Sequence, residues 1–179
     1  MLITPVDDKN NLFLVENIYP SSVIDLIQQE KIFDYQHTPV EWQEYKPRRK
    51  LVYNDISPFA KIDKFLSDNF GVISKAIGKK VVHSTTDIWL DEPGFNMGIH
   101  LDNPGVNIAM QLYLNKGPVN MGTKFYHKNS PDTLRYDFPY RLNSGYIMIN
   151  NDENQWHGFP SVVPNHTYRL SSYTYFYTE

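Results

Sequence analysis

Asn107-Ile108-Ala109-Met110-Gln111-Leu112-Tyr113-Leu114 decides the fold class, because its apolar residues recur at every second position. An extended strand sends successive side chains to opposite faces, so Ile108, Met110, Leu112 and Leu114 share one face and Asn107, Ala109, Gln111 and Tyr113 the other. The first face is built for a core. The second is mixed, which suits an interior that hosts a polar ligand, with Tyr113 either donating its phenolic hydrogen to an anion or simply packing.

The same texture extends in both directions. From Val81 onward, short runs rich in Val, Ile, Tyr and Phe are separated by turn clusters such as Glu92-Pro93-Gly94, Asn103-Pro104-Gly105 and Asn150-Asn151-Asp152. That spacing predicts an antiparallel sandwich or jelly roll over residues 81–179, mainly β, with the helices of the first half packed against one sheet. The stretch between Tyr126 and Leu142 reads as a long polar loop, of the kind that often forms a lid.

Residues 1–80 read as mixed strand and helix. Leu12 to Tyr19 looks like a strand, and Val23, Ile24 and Ile27 recur at helical spacing behind Ser21, a candidate cap. A second helix is marked by Ser57 as cap, Pro58 in the first turn, and a stripe of Phe59, Ile62, Leu66, Phe70, Ile73 and Ile77. Gly78 is placed to end it, while Gly71 leaves open whether the segment is one helix or two.

At 179 residues the chain fits one domain, 1–179, able to bury its own core. Aromatic residues make up 15% and charged residues only 21%, which excludes a disordered chain. A net charge of -3 gives no general attraction to nucleic acid, which is not favoured as a partner. Cysteine is absent, so disulfides, thiolate metal sites and a cysteine nucleophile are excluded. There is no leader-like segment and no apolar run of membrane-spanning length, so the expectation is a cytoplasmic protein with no membrane contact.

Chemistry concentrates in three places. His100-Leu101-Asp102 closes a strand-like stretch, and the two-residue period points both side chains to one side. By itself such a pair is also what a surface turn carries. His157 in Gln155-Trp156-His157-Gly158 supplies a third candidate ligand. Two neutral imidazoles and a carboxylate on one side of an ion leave the opposite side open, as non-haem iron(II) requires to bind an oxoacid and oxygen. Arg169 and Ser171 share a face of the last strand, where the guanidinium fork could clamp the distal carboxylate of a dicarboxylic acid or could form a structural salt bridge. His37, His83, His127 and His166 have no partner at comparable spacing, and Arg48-Arg49-Lys50 reads as a solvated face.

These motifs resemble the prolyl 4-hydroxylase-like branch of the iron(II)/2-oxoglutarate dioxygenases over roughly residues 85 to 178. His100-Leu101-Asp102-Asn103-Pro104, Leu112-Tyr113-Leu114-Asn115, Trp156-His157-Gly158 and Tyr168-Arg169-Leu170-Ser171 carry the likeness. It implies a double-stranded β-helix, iron held by His100, Asp102 and His157, and 2-oxoglutarate contacted by Tyr113, Arg169 and Ser171. It implies also hydroxylation of a C–H bond in a small-molecule or peptide substrate, with succinate and carbon dioxide released and ascorbate as an accessory reductant. Two stretches depart from the pattern: Met121-Gly122 stands where the family usually has two glycines, and Trp89-Leu90-Asp91-Glu92-Pro93 lacks the pocket tyrosine. A jelly-roll binding module without oxidative activity is the alternative, and a cupin-like metal isomerase a third reading.

Overall fold

The structure is a computed structural model that describes residues 1–179 apart from 10, 30, 35, 40–42, 45, 47, 53–58, 104 and 151–154. In chain order the elements are β1 (Leu2–Pro5), β2 (Leu12–Glu16), α1 (Ser21–Gln29), β3 (Gln36–His37), β4 (Arg49–Val52), α2 (Ala60–Asp68) and α3 (Phe70–Ile77). There follow β5 (Val81–Asp91), β6 (Met97–His100), β7 (Ile108–Tyr113), β8 (Lys124–Tyr126), β9 (Leu134–Asp137), β10 (Ser144–Ile149), β11 (Trp156–Phe159) and β12 (Arg169–Thr178).

The strands form two antiparallel sheets. The eight-stranded sheet runs β1-β2-β10-β7-β12-β5-β4-β3, and the four-stranded sheet runs β6-β11-β8-β9. This is the jelly roll expected from the alternating runs, with the N-terminal strands extending both ends of the larger sheet.

The two faces of β7 take the roles their side chains dictate. Ile108, Met110 and Leu112 join Ile88, Leu90, Ile147 and Leu170 in the main core, closed by Ile62 and Leu66 of α2 and Ile73 and Ile77 of α3. Each such side chain contributes about 1.5–3 kcal/mol by leaving water, which holds the helices on that face. Gln111 and Tyr113 point the other way, between the sheets.

Three local readings need correction. The second helical segment is split at Asn69 and not at Gly71: the Asn69 amide donates to the Phe65 carbonyl at 2.8 Å, offering the backbone an alternative to the helical ladder. Gly78 does end α3, in the left-handed region at φ 67. Ser21 is the first residue of α1 and not its cap, whereas the proposed cap Ser57 with Pro58 lies outside the described residues. The stretch from Tyr126 to Leu142 is no open loop either, since β9 pairs with β8 within it, and none of residues 127–142 lines the cavity between the sheets.

Candidate metal centre

The site begins with the pairing of β6 and β11, in which His157 and His100 are direct cross-strand neighbours. Opposed residues on adjacent strands project to one side of a sheet, and here the two rings lie with centroids 4.5 Å apart. Asp102 follows two residues after His100 and brings its carboxylate to the same point. One ligand atom from each of His100, Asp102 and His157 lies within 4.8 Å of the others.

Backbone carbonyls orient both imidazoles. Nδ1 of His100 bonds the Gly98 carbonyl at 2.9 Å, and Nδ1 of His157 bonds the Gln155 carbonyl at 2.8 Å. A carbonyl can only accept, so each Nδ1 carries the proton and each Nε2 presents a lone pair. Those Nε2 atoms face Asp102 Oδ1 at 3.9 and 3.5 Å. The other carboxylate oxygen accepts the Tyr173 hydroxyl at 2.7 Å. Two ligands at right angles, each about 2.1 Å from an ion, are about 3 Å apart, so the observed separations need only a slight contraction. Burial, and then the neighbouring His157, push the pKa of His100 down to about 4, which keeps this ring neutral and able to coordinate. The donor set therefore fits a divalent transition metal with open positions.

A cavity of about 210 Å³ opens beside this cluster, and His100, Asp102, His157 and Arg169 all line it. Arg169, at the start of β12, is 2% exposed and anchored on every nitrogen. Its Nε donates to the Met121 carbonyl at 3.0 Å, Nη1 to Asp91 at 2.7 Å, and Nη2 to Gln111 and Thr123 at 3.2 and 3.1 Å. The salt bridge and the cavity-facing position foreseen as rival readings of Arg169 are both present.

Tyr113 and Ser171 are placed differently from the expectation that they contact an oxoacid. Neither lines the cavity. The Tyr113 hydroxyl accepts from the Thr123 amide at 2.8 Å and donates to its Oγ1 at 3.2 Å, while Ser171 accepts from Gln111 at 3.1 Å. Both residues sit behind the polar wall and fix Thr123 and Gln111, which do line it. Strand alternation gives the side of the sheet correctly, but Thr123 arrives from a different segment and takes up the phenol.

Arg49 is a clear correction, being buried where a solvated face was expected. It is 7% exposed, its guanidinium lies 5.1 Å from the Trp89 and Phe95 ring centroids, and its Nε is 2.8 Å from Asp91 Oδ1. Register explains this: Asp91 of β5 is the cross-strand partner of Arg49 on β4 and of Arg169 on β12. One carboxylate thus lies between two guanidiniums on one face. Tyr173 is the other residue sequence reasoning missed, although its spacing from Arg169 and Ser171 already put it on their face.

No family model matches the chain, and no curated protein matches it in sequence. Solved structures do. A Pseudomonas putida prolyl-4-hydroxylase superposes with a TM-score of 0.68 at 14% identity, covering 94% of this chain and 93% of that one. The viral collagen prolyl hydroxylase vCPH from Paramecium Bursaria Chlorella virus-1, in a 2OG complex, gives 0.59 at 8% identity, covering 97% and 99%. HygX from Streptomyces hygroscopicus, with nickel and 2-oxoglutarate bound, gives 0.61 at 13% identity, covering 93% and 82%. The fold is the jelly roll of these oxygenases.

Proposed function

We propose that this chain is an iron(II)- and 2-oxoglutarate-dependent oxygenase that hydroxylates a C–H bond of its substrate. The observation that carries the reading is convergence: His100, Asp102 and His157 present two neutral nitrogens and one carboxylate oxygen to a point in the same cavity that Arg169 lines. A binding module needs no such meeting of four residues drawn from the end of β6, β11 and β12, and a metal isomerase would give the cavity edge of Arg169 no oxoacid to receive. The neighbours of this fold, which include a 2-oxoglutarate complex and a nickel and 2-oxoglutarate complex, support the same choice.

When bound, the metal and 2-oxoglutarate supply the oxidising chemistry, with succinate and carbon dioxide as coproducts. The chain supplies placement. His100 and His157 are held with Nε2 forward, and Tyr173 occupies one oxygen of Asp102 so that the other faces the ion. Arg169, with four of its five N–H groups committed to Asp91, Gln111, Thr123 and the Met121 carbonyl, offers its remaining Nη1 hydrogen and its charge to the distal carboxylate. Trp89, Phe95, Met97 and Phe159 add apolar surface to a wall that also carries Gln111 and Thr123, and help to keep water away from the reacting centre. Ascorbate is given no part in the proposed reaction. No helix among these residues is long and apolar enough to cross a membrane.

Iron-dependent release of succinate from 2-oxoglutarate tests the reading, screened with and without pools of peptides and small metabolites. Release that rises with one pool and disappears in Asp102→Ala is expected. Absence of release with every pool, from protein that holds iron, contradicts it.

A further inference from the structure

Asn115 follows closely on the end of β7 and is 4% exposed. Across from it, β12 pairs with β5 from Arg169 onward, whereas its ladder with β7 begins only at Ser171 opposite Tyr113. The Leu114 N–H makes one further bond, to the Leu170 carbonyl at 2.8 Å. In a strand the carbonyl before a residue and the N–H after it point away from that residue's own backbone groups. The Tyr168 carbonyl and the Leu170 N–H, which flank Arg169, therefore point to the side where β7 has ended. The Asn115 side chain fills that place. Its Nδ2 donates to the Tyr168 carbonyl at 3.0 Å, and its Oδ1 accepts from the Leu170 N–H at 2.7 Å. A primary amide carries one donor edge and one acceptor edge, so it extends the ladder by a step as a backbone would. The Tyr140 hydroxyl donates to the same Oδ1 and accepts from the Leu170 N–H at 3.1 Å. Burial pushes the pKa of Tyr140 up, which keeps the phenol a neutral donor.

Resting on the reading of Arg169 as the 2-oxoglutarate anchor, we infer that Asn115, backed by Tyr140, is a positioning residue that sets the preference of the site for dicarboxylic over monocarboxylic oxoacids. It does so by fixing the backbone from which Arg169 projects. The side-chain bonds of Arg169 tie its guanidinium to Asp91, Gln111, Thr123 and the Met121 carbonyl, but they do not hold its Cα on the side away from β5. Asn115 holds that side. It does not line the cavity, so it reaches a ligand only through Arg169. The end of an oxoacid that binds the metal is indifferent to this contact, and only a distal carboxylate reports on it. A displaced guanidinium would no longer meet that carboxylate at the distance the metal cage imposes.

Titration of 2-oxoglutarate and of 2-oxobutanoate, which lacks the distal carboxylate, into the whole manganese-loaded protein tests this. In Asn115→Ala the Leu170 N–H keeps the Tyr140 hydroxyl as acceptor, so the fold should persist. Its affinity for 2-oxoglutarate should fall at least about tenfold, the equivalent of one hydrogen bond to a charged group. Affinities for 2-oxobutanoate and manganese should stay within about twofold of the parent, and Asn115→Ala added to Arg169→Ala should change 2-oxoglutarate binding by no more than that. Tyr140→Phe, which keeps the buried ring, should show the same selective loss to a lesser degree, and it decides the matter if Asn115→Ala does not fold. The Nε–H signal of Arg169 in nitrogen-15 resonance spectra, identified by its disappearance in Arg169→Ala, should shift or broaden in both variants without any ligand. Equal loss of both oxoacids, an unchanged preference, or a full loss that persists without Arg169 overturns the inference, as does an unmoved Nε–H signal. If the parent does not bind 2-oxoglutarate while that signal moves, the oxygenase reading falls and the positioning of Arg169 by Asn115 stands.

Discussion

Tyr173 donates its hydroxyl to Asp102 Oδ2 at 2.7 Å, leaving Oδ1 to face both histidine nitrogens. If Asp102 holds a metal as proposed, that bond would leave it a single oxygen to offer and spare the remaining positions for an oxoacid. Tyr173→Phe keeps the ring and deletes the bond. Metal affinity should fall about 10- to 100-fold, the usual cost of losing a partner behind a ligand. Manganese titration followed by electron paramagnetic resonance measures it, and unaltered affinity and line shape would show that the contact does not govern the carboxylate.

Gly158 lies on β11 between His157 and Phe159, where the pairing with β6 shifts register. A Cβ there would sit 2.7 Å from the Gly98 carbonyl oxygen and 2.9 Å from that of Met97. The Gly98 carbonyl is also the acceptor that orients His100. Gly158→Ala should therefore push β6 away and turn the His100 ring, weakening metal binding by about tenfold or more. Metal titration with far-ultraviolet circular dichroism separates this local effect from unfolding. Parental affinity in a folded variant would contradict it.

Tyr113→Phe should act on stability and not on cosubstrate binding. Deleting the hydroxyl leaves the buried Thr123 amide without its acceptor, at a cost of about 1–3 kcal/mol. The change in 2-oxoglutarate affinity should stay below about 1 kcal/mol, because the phenol is one residue removed from the cavity. Urea denaturation and ligand titration on the same samples distinguish the two. A large loss of affinity with unchanged stability would return Tyr113 to the cavity.

The pH dependence of the metal-free protein follows from His100. Its folded pKa, about 4, lies below its ordinary value of 6.5, so the unfolded chain binds the extra proton first as pH falls. Stability is therefore full above about 6.5 and is lost progressively down to about 4, where the folded state also protonates. Thermal melts across this range should show the loss, and His100→Gln should flatten it. A parental slope in the variant would assign the effect to other groups.

Alternation made β7, β12 and the facing of His100 and Asp102 legible, because each of these is a local period-of-two pattern. His157 was legible as a partner by residue type, although its cross-strand pairing with His100 is a fact of register. Arg49 and Asp91 were not legible. Their meaning arises where β4, β5 and β12 lie side by side, joining residues far apart in the chain, and a local reading of Arg48-Arg49-Lys50 sees only charge. The helix break escaped for a different reason: glycine is the stronger breaker by propensity, yet the Asn69 side chain competed for the Phe65 carbonyl and set the boundary two residues earlier.

Titration of 2-oxoglutarate into manganese-loaded parent and Arg169→Ala protein decides whether an oxoacid clamp stands beside the proposed three-residue metal cage. Asp91 remains paired with Arg49 in that variant, so no buried carboxylate is orphaned and the fold should persist. The parent should bind 2-oxoglutarate saturably and only with metal present. The variant should lose about 3–5 kcal/mol of that affinity, the cost of leaving a buried anion without its countercharge, while manganese affinity stays as in the parent. If the parent does not bind the oxoacid, or if Arg169→Ala binds it as tightly as the parent, the account is contradicted.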